Sequence, residues 1–402
     1  MKTTRRVLLF LLLSSAPAFQ LAAAETKADQ RPLQEVRAKA EAGDADSQVE
    51  LGLRYNKGDG VAKDFAESVK WFRKAAEQNH PRAQNALGVC YSDGEGVVKD
   101  PVEAVKWYRK AAEQNYARGQ FNLGICYEEG EGVTKDAVEA VKWYRKAADQ
   151  NFPDAQVSLA ICYHKGAGVP KDPVEAMKWL RKAAEQNFIP AEYRLALCYK
   201  YGDGVAKDLV EAVKWFRKAA EQNDAAGQLN LGACYEEGEG VTKDAIEAVK
   251  WYRKAAEQGY ALGQYHLARC YDKGEGVTKD ALQAVKWYRK AAEQGDSGGQ
   301  RFLAIAYFYG TGVPKDHAEA VKWDRKAAEQ NFSPSQHSLG IALSAGDGVA
   351  KDLVEGYKWL LLAAKQGDED AKREITRLAK DLTPEQVAEA QKRANDFKPV
   401  IR

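Results

Sequence analysis

The chain has 402 residues, with 60 lysines and arginines against 58 aspartates and glutamates, so its formal net charge is +2. Residues 1–24 contain Lys2, Arg5 and Arg6 but no acidic residue, and their removal changes the net charge to −1. A nearly neutral chain with evenly mixed charges lacks the basic surface that binds phosphates, and the composition therefore excludes nucleic acid as an expected partner.

The N-terminal segment has the three features of a secretory signal peptide: a basic start, a short apolar run and small residues before a cleavage site. We predict a signal peptide at residues 1–24, cleaved after Ala24, with Ala16-Pro17-Ala18 as the alternative site. The apolar run is too short to span a bilayer, and no membrane span is expected in the mature chain. Arg5-Arg6 leaves a twin-arginine export signal open. The expected location is the periplasm, with secretion as the alternative.

All nine tryptophans of the chain are spaced 36 residues apart, at positions 71, 107, 143, 179, 215, 251, 287, 323 and 359. A fixed period of this length is typical of stacked helical repeats, in which each unit buries its apolar face against its neighbours. Such an array presents an extended surface rather than one deep cavity, which argues against an embedded enzyme.

Each unit is predicted to contain two helices, as residues 80–115 illustrate. In the first half, Ala83, Leu87 and Cys90 recur at helical spacing and define helix A. The sequence GEGV then marks a turn, because its glycines favour loop conformations. The second half, helix B, has an apolar stripe that contains Trp107.

The ends of helix B carry capping signals. Asp100 is the expected N-cap, and Glu103 is expected to complete a capping box with it. The helix is expected to end at Asn115, in the left-handed conformation that Asn and Gly tolerate best. The other eight repeats have only these two residue types there: Asn79, Asn151, Asn187, Asn223, Gly259, Gly295, Asn331 and Gly367.

These patterns predict an all-α fold, a right-handed α-solenoid of nine helix-turn-helix units. We expect a linker and N-terminal capping helix at 25–43, with the helix at 32–42, then nine repeats at 44–367. Capping helices are expected at 368–402, where a charged helix is followed by a second one whose capping box begins at Thr383.

The motif A-Q-x-x-L-G-x-x-Y, followed by G-x-G-V-x-K-D and E-A-V-K-W-Y-R-K-A-A-E-Q, resembles the Sel-like repeat, a tetratricopeptide-type helical hairpin. The resemblance implies an adaptor that assembles envelope complexes, takes part in signalling or contacts host cells. The last units depart from the motif: Leu343 replaces its Tyr, Leu361-Leu362 replace Arg-Lys, and Asp324 replaces the aromatic residue of helix B. We expect weaker or altered stacking there.

The six cysteines occupy one position of helix A in successive repeats: Cys90, Cys126, Cys162, Cys198, Cys234 and Cys270. Packed helices lie about 8–10 Å apart, whereas a disulfide needs Cα atoms within about 7 Å. We therefore predict buried free thiols and keep disulfides as the alternative. A cysteine-rich group with similar repeats pairs two cysteines within each unit, but this chain has one per unit.

Other motifs favour structure over chemistry. The tryptophans are expected in the core rather than as sugar-stacking platforms. The Lys-Asp steps lack the clustered oxygens of a calcium loop, and the five histidines share no metal-ligand spacing. We predict no enzyme activity, no catalytic residue, no cofactor and no metal. Because some relatives are described as penicillin-binding or β-lactamase-like, a cell-wall or β-lactam-binding protein with weak hydrolytic activity is the alternative.

Comparison of the repeats locates a variable arc on helix A, opposite the fixed positions. We predict that this arc lines the concave groove of the solenoid and binds a protein or peptide, because exposed aromatic side chains interleaved with Asn and Arg suit peptide recognition. The predicted contact residues are Asn85, Phe121, Asn122, Tyr193, Arg194, Asn230, Tyr265, His266, Arg269, Arg301 and Phe302, and Phe308 lies on the same arc. Neutral drift of a solvated face, and a spacer without a ligand, are the other interpretations.

Overall fold

The computed structural model describes residues 31–400, and all regular secondary structure in that part is helical. These residues form two compact units, which divide between Asp208 and Leu209. The predicted signal peptide at residues 1–24 lies outside the described residues.

Unit 1 contains ten helices: α1 Leu33–Glu41, α2 Ala45–Lys57, α3 Phe65–Glu77, α4 Pro81–Asp93, α5 Pro101–Glu113, α6 Ala117–Glu129, α7 Ala137–Asp149, α8 Pro153–Lys165, α9 Pro173–Glu185 and α10 Ile189–Tyr201. Unit 2 contains α11 Leu209–Glu221, α12 Ala225–Glu237, α13 Ala245–Glu257, α14 Ala261–Lys273, α15 Ala281–Glu293, α16 Ser297–Tyr309, α17 His317–Glu329, α18 Ser333–Ala345, α19 Leu353–Lys365, α20 Glu369–Leu378, a 3-10 turn Ala379–Asp381 and α21 Pro384–Asp396.

The helices follow the predicted two-helix repeat. The even-numbered helices α2 to α18 are helix A of repeats 1 to 9, and the odd-numbered helices α3 to α19 are helix B. Within each unit, helix A packs on helix B of its own repeat, and helix B packs on helix A of the next repeat. Several A helices also contact each other directly, as α4 does with α6 and α12 with α14. The predicted all-α solenoid fold is thus confirmed.

The predicted caps of helix B are partly confirmed. The Asp100 carboxylate accepts a hydrogen bond from the Glu103 backbone N–H (3.0 Å), and Asn115 is left-handed (φ +62°). The expected capping box at Glu103 is wrong. The Asp100 N–H already donates to the Tyr91 carbonyl (2.8 Å), so no orphan donor is left, and the Glu103 carboxylate instead pairs with Lys106 (2.7 Å). The capping box at Thr383 is confirmed.

The second glycine of each loop is required by a close backbone approach between repeats. Gly96 has φ +74°, and a Cβ there would lie 2.1 Å from the Phe65 carbonyl oxygen. No other residue type fits this position without moving the backbone, because real contacts to Cβ are far longer. The loop of one repeat is therefore locked against the start of helix B in the preceding repeat.

A series of buried glutamines connects successive repeats. The Gln84 side chain donates to the Ala76 carbonyl at the end of the preceding helix B (3.3 Å), and it accepts from Gln114 (2.6 Å). The same pattern recurs around Gln120, Gln156, Gln228, Gln264, Gln300 and Gln336. A buried amide that satisfies helix-end carbonyls stabilises the stack, so the Gln of the motif, which only repeat 5 replaces (by Glu192), is structural.

The tryptophans and cysteines lie where the sequence predicts. Trp179, Trp215, Trp251, Trp323 and Trp359 are buried, which confirms their assignment to the core, while the other four are half-buried. In eight of the nine repeats the lysine three residues later places its ammonium 3.8–4.5 Å from the ring centroid. All six cysteines are buried free thiols, and burial raises the pKa of five of them to about 12, which makes them poor nucleophiles.

Helices outside the repeats cover both ends of the described chain. α1 packs on α2 through Val36 and Ala40, and α20 and α21 pack on α19. This explains two departures of the last repeat: Leu343 and Leu362 are buried in an apolar cluster that includes Ala394 of α21 and, packed against it, Phe397. Stacking there is altered, as expected. None of the helices within residues 31–400 is both long and apolar enough to cross a bilayer.

Candidate partner-binding surface

The structure corrects the predicted arc in unit 1. Asn85, Phe121, Asn122 and Arg194 were expected to be exposed, but all four are buried, with at most 7 % of their surface accessible. Tyr193 is half-buried. Variability between repeats gave no measure of how tightly the helices pack around this position.

Two contacts show how these side chains are used. The Asn122 amide donates to the Asn85 side-chain oxygen (2.9 Å), forming a buried link between α4 and α6. The Phe121 ring packs against Tyr144 and Phe152, with centroids 5.7 and 5.4 Å apart. Both interactions hold repeats together, so Asn85, Phe121 and Asn122 serve the stack rather than a partner.

The predicted residues of unit 2 are more accessible. Asn230, Tyr265, His266, Arg269, Arg301 and Phe302 are all half-buried. Asn230 is occupied by its own helix, since its amide donates to the Ala226 carbonyl (2.9 Å). The remaining five lie on two A helices, α14 and α16, and the structure brings four of them together.

Three aromatic rings form the centre of this group. Phe302 stacks on Tyr288 (centroids 5.1 Å apart, 10° between planes) and lies 5.9 Å from Tyr265. The Arg269 guanidinium lies 5.8 Å from the Tyr265 ring centroid. Leu262, one turn before Tyr265 on the same face of α14, is 43 % exposed. We call Leu262, Tyr265, His266, Arg269 and Phe302 the α14–α16 surface.

A carboxylate that the sequence analysis missed orders the charged side of this surface. Glu236, on α12, accepts a hydrogen bond from the Tyr252 hydroxyl. Its oxygens lie 3.7 Å from both His266 Nδ1 and Arg269 Nη2. The His266 imidazole, the Tyr252 hydroxyl and the Arg269 guanidinium together lower the pKa of Glu236 to about 2. Arg269, which was predicted to pair with a ligand carboxylate, has a carboxylate partner within the chain.

A sequence signal for Glu236 was available. The residue two positions after the helix A cysteine varies strongly between repeats: Ser92, Glu128, His164, Lys200, Glu236 and Asp272, with Phe308 at the same place in repeat 8. Two of these acids accept from the helix B tyrosine of their own repeat, Glu128 from Tyr144 (2.6 Å) and Glu236 from Tyr252. Phe308 was placed on the variable arc from the sequence, and Glu236 occupies the equivalent position two repeats earlier.

The lowered pKa of Glu236 predicts a defined pH dependence of stability. Because the folded pKa of about 2 is below the ordinary value of 4.5, the carboxylate stabilises the fold above pH 4.5, and this contribution is lost as the pH falls towards 2. With allowance for solvent screening of a half-exposed group, we expect roughly 1–2 kcal/mol at pH 7. Glu236→Gln should lower the free energy of unfolding by that amount at pH 7, in urea titrations followed by circular dichroism.

The control for this prediction is Glu128→Gln, which alters a carboxylate that also accepts from a tyrosine hydroxyl. We expect the difference between the wild type and Glu236→Gln to vanish between pH 4.5 and 2, and the Glu128→Gln control to lack a deficit of this size. If Glu236→Gln lowered the free energy of unfolding by the same amount down to pH 2, the result would contradict a stabilising interaction of the Glu236 carboxylate with His266 and Arg269.

Arg301, the fifth of these residues, forms an ion pair with Asp324 on α17. Its Nη1 lies 3.0 and 2.7 Å from the two carboxylate oxygens of Asp324, and the Ser335 hydroxyl donates to the same carboxylate (2.6 Å). Asp324 is only 7 % exposed, and burial raises its pKa although Arg301 opposes that rise. Arg301 was predicted to pair with a ligand carboxylate, and in the structure its carboxylate partner is Asp324 of the same chain.

Stacked helical hairpins with these intra-repeat contacts define the class: the protein is an α-solenoid of tetratricopeptide-like type. The Sel1 repeat family model matches nine consecutive segments, at residues 45–80, 81–116, 117–152, 153–188, 189–224, 225–260, 261–296, 297–332 and 333–368. The chain belongs to the Sel1 repeat family. Proteins of this family are generally non-catalytic scaffolds for protein interactions.

Two solved structures are similar over most of the chain. One is a protective antigen present in uropathogenic Escherichia coli strains, 35% identical, with a TM-score of 0.50 over 92% of this chain and 94% of the other. The second is a Sel1 repeat protein from Oxalobacter formigenes, 35% identical, with a TM-score of 0.58 over 76% and 89%. A short segment of 43 residues is 44% identical to the secretory immunoglobulin A-binding protein EsiB of Escherichia coli O6:H1, covering 11% of this chain and only 9% of that protein.

Proposed function

We propose that the protein is an exported scaffold that binds a protein or peptide partner through the α14–α16 surface. The observation that carries the proposal is the contrast between the two units. The variable residues of unit 1 are mostly buried in contacts between repeats, whereas those on α14 and α16 remain partly accessible. Aromatic and arginine side chains held rigidly at a surface are the residue types that dominate protein interfaces.

The geometry of this surface favours binding over simple solvation. Tyr265 and Phe302 are fixed by ring packing, and Arg269 is held by Glu236, so little side-chain entropy is lost when a partner docks. The exposed Leu262 adds apolar area beside them. Tyr193 in unit 1 and Asn230 in unit 2 are further candidate contacts.

Export is supported by the signal-peptide pattern of residues 1–24. It is also supported by the similarity to a protein described as a protective antigen. The periplasm is the proposed location, with secretion as the alternative. A protein as partner is supported by the short match to a protein named for binding secretory immunoglobulin A.

Capture of exported proteins from the native cell tests this proposal. Wild-type protein and the variant Leu262→Ser, Tyr265→Ser are immobilised, and the retained proteins are quantified by mass spectrometry. We expect at least one protein to be retained by the wild type and depleted about tenfold or more on the variant, because two accessible apolar side chains are lost at the centre of the surface.

The matched control is Ile246→Ser, which removes an exposed aliphatic side chain (61 % exposed) from helix B in the same unit. It should retain the same proteins as the wild type. Circular dichroism must show that all three proteins are folded. Equal retention by wild type and Leu262→Ser, Tyr265→Ser would contradict the assignment of the α14–α16 surface.

A further inference from the structure

One position of helix B sets repeat 8 apart. In the nine repeats this position holds Phe72, Tyr108, Tyr144, Leu180, Phe216, Tyr252, Tyr288, Asp324 and Leu360. Every residue of this series except Asp324 is a large apolar or aromatic side chain buried in its own repeat. Aspartate is far smaller than tyrosine, so repeat 8 lacks the volume of one ring.

Repeats 3 and 6 show where that ring would lie. The Tyr144 hydroxyl reaches Glu128, and the Tyr252 hydroxyl reaches Glu236, so the ring spans the distance from helix B to the end of helix A. The residue equivalent to Glu236 in repeat 8 is Phe308. The missing ring would therefore occupy the space between Asp324 and Phe308.

The structure has a cleft at this place. It has a volume of about 260 Å³ and lies between α16, α17 and α18; its lining includes Arg301, Phe308, His317, Asp324 and Ser338. The volume is below the roughly 300–1,000 Å³ of pockets for drug-sized molecules, and suits a single side chain. We call it the repeat 8 cleft.

The two ends of the cleft differ in chemistry. At one end the Asp324 carboxylate accepts from Arg301 and Ser335. At the other end the Phe308 ring, 39 % exposed, stacks on His317 with centroids 4.6 Å apart. A ligand that fills this space needs an aromatic body next to Phe308 and a hydrogen-bond donor at its tip for Asp324.

The balance of charge in the cleft disfavours a cationic ligand. The Asp324 carboxylate is neutralised by Arg301, and the second acid of the lining, Asp347, pairs with His317 (2.5 Å). A neutral phenol keeps both pairs intact, whereas a guanidinium or ammonium would compete with Arg301 and His317 for their carboxylate partners.

We propose that the repeat 8 cleft binds a tyrosine side chain of the partner, in the space where six other repeats hold their own aromatic ring. This inference rests on the proposed function and specifies one residue of the partner. The tyrosine ring packs beside Phe308, and its hydroxyl donates to the Asp324 carboxylate. Because burial of an aromatic side chain and a charge-assisted hydrogen bond act together, this residue is expected to anchor the complex.

Titration with N-acetyl-tyrosinamide, followed by ligand-observed NMR, tests the cleft without any partner. We expect a dissociation constant in the low millimolar range or tighter, roughly what a ligand of this size allows. N-acetyl-phenylalaninamide lacks the hydroxyl and should bind about tenfold more weakly, since one hydrogen bond to a charged group is lost. N-acetyl-argininamide should bind more weakly than either.

Two variants assign the binding to this cleft. Asp324→Tyr restores the ring of the other repeats and should abolish binding. Ser338→Phe fills the cleft from α18 while leaving Asp324 and Arg301 in place, and should weaken binding at least tenfold; Ser338→Ala is its size control and should bind like the wild type.

Three results would overturn the proposal: no binding of N-acetyl-tyrosinamide at 10 mM (about ten times the expected constant), tighter binding of the arginine derivative, or unchanged binding in Ser338→Phe. None of these three results depends on Leu262 or Tyr265, so the capture experiment tests the α14–α16 surface independently of the cleft. The opposite result is also distinguishable. If the capture experiment contradicted the α14–α16 surface but N-acetyl-tyrosinamide still bound, the cleft would be a binding site for phenols without a role in partner recognition.

Discussion

Replacing Arg301 by leucine should lower the free energy of unfolding by about 2–4 kcal/mol at pH 7, because it leaves the buried Asp324 carboxylate without its cation. The two side chains are 22 % and 9 % exposed, and Arg301 makes two hydrogen bonds to the carboxylate, so little water is available to compensate. Leucine itself fits this position, since Leu229 occupies it in repeat 6.

The loss in free energy of unfolding caused by Arg301→Leu should become smaller as the pH falls. Burial already raises the pKa of Asp324, and the loss of Arg301 removes the cation that opposes this rise. A carboxyl group whose folded pKa lies above its unfolded value costs stability above that pKa, and the cost disappears once the group is protonated in both states. Urea titrations between pH 7 and pH 4 would measure this recovery.

The double variant Arg301→Leu, Asp324→Tyr is the control. It replaces a buried ion pair by an apolar residue and a tyrosine, an exchange that is often neutral or stabilising. Tyrosine is compatible with Ala304, because Tyr288 lies in the same arrangement beside Ala268 in repeat 7. We expect the double variant to be at least as stable as the wild type. If it were as unstable as Arg301→Leu, the loss would not come from an unpaired carboxylate.

Replacing Gly276 by alanine should destabilise unit 2 by about 3 kcal/mol or more. Gly276 has φ +71°, and a Cβ would lie 2.1 Å from the Ala245 carbonyl oxygen, so the loop must move away from helix α13. The cost combines a left-handed alanine, about 1–2 kcal/mol, with the loss of packing between adjacent repeats. Thermal and urea unfolding followed by circular dichroism would measure it.

Gly259 is a matched control for the steric part of this effect. It has φ +85°, but a Cβ would meet nothing within 4 Å. Gly259→Ala should therefore cost only the free energy of placing alanine in the left-handed conformation, about 1–2 kcal/mol. Gly259→Asn should cost less, because Asn occupies this position in six other repeats with φ between +59° and +69°. Equal losses for Gly276→Ala and Gly259→Ala would show that the loop does not lock the repeats together.

The architecture was predictable because its signals repeat nine times. The tryptophan period, the Asp N-caps and the left-handed Asn or Gly at the end of helix B each specify a local conformation, and all three are present in the structure. The predicted capping box at Glu103 does not form, because the Asp100 N–H donates to the Tyr91 carbonyl, which lies outside the helix that Asp100 caps. A motif within one helix cannot reveal a competing acceptor from another.

The candidate site was harder to predict, because variability between repeats does not distinguish exposed residues from those that adapt one repeat to the next. Asn85 and Asn122 are variable positions that pair with each other, and Phe121 is a variable position that packs against Tyr144. Asp324 was noted as a departure from the motif, but its compensation by Arg301 and Ser335 requires three helices in place.

Hydrogen exchange on the complex with the captured partner tests the central claim most directly. Mass spectrometry would compare amide exchange along the chain with and without the partner. The account predicts slower exchange in α14 and α16 of unit 2, where the accessible aromatic and charged side chains lie. Slower exchange confined to the B helices α13, α15 and α17, or to the A helices of unit 1, would contradict it.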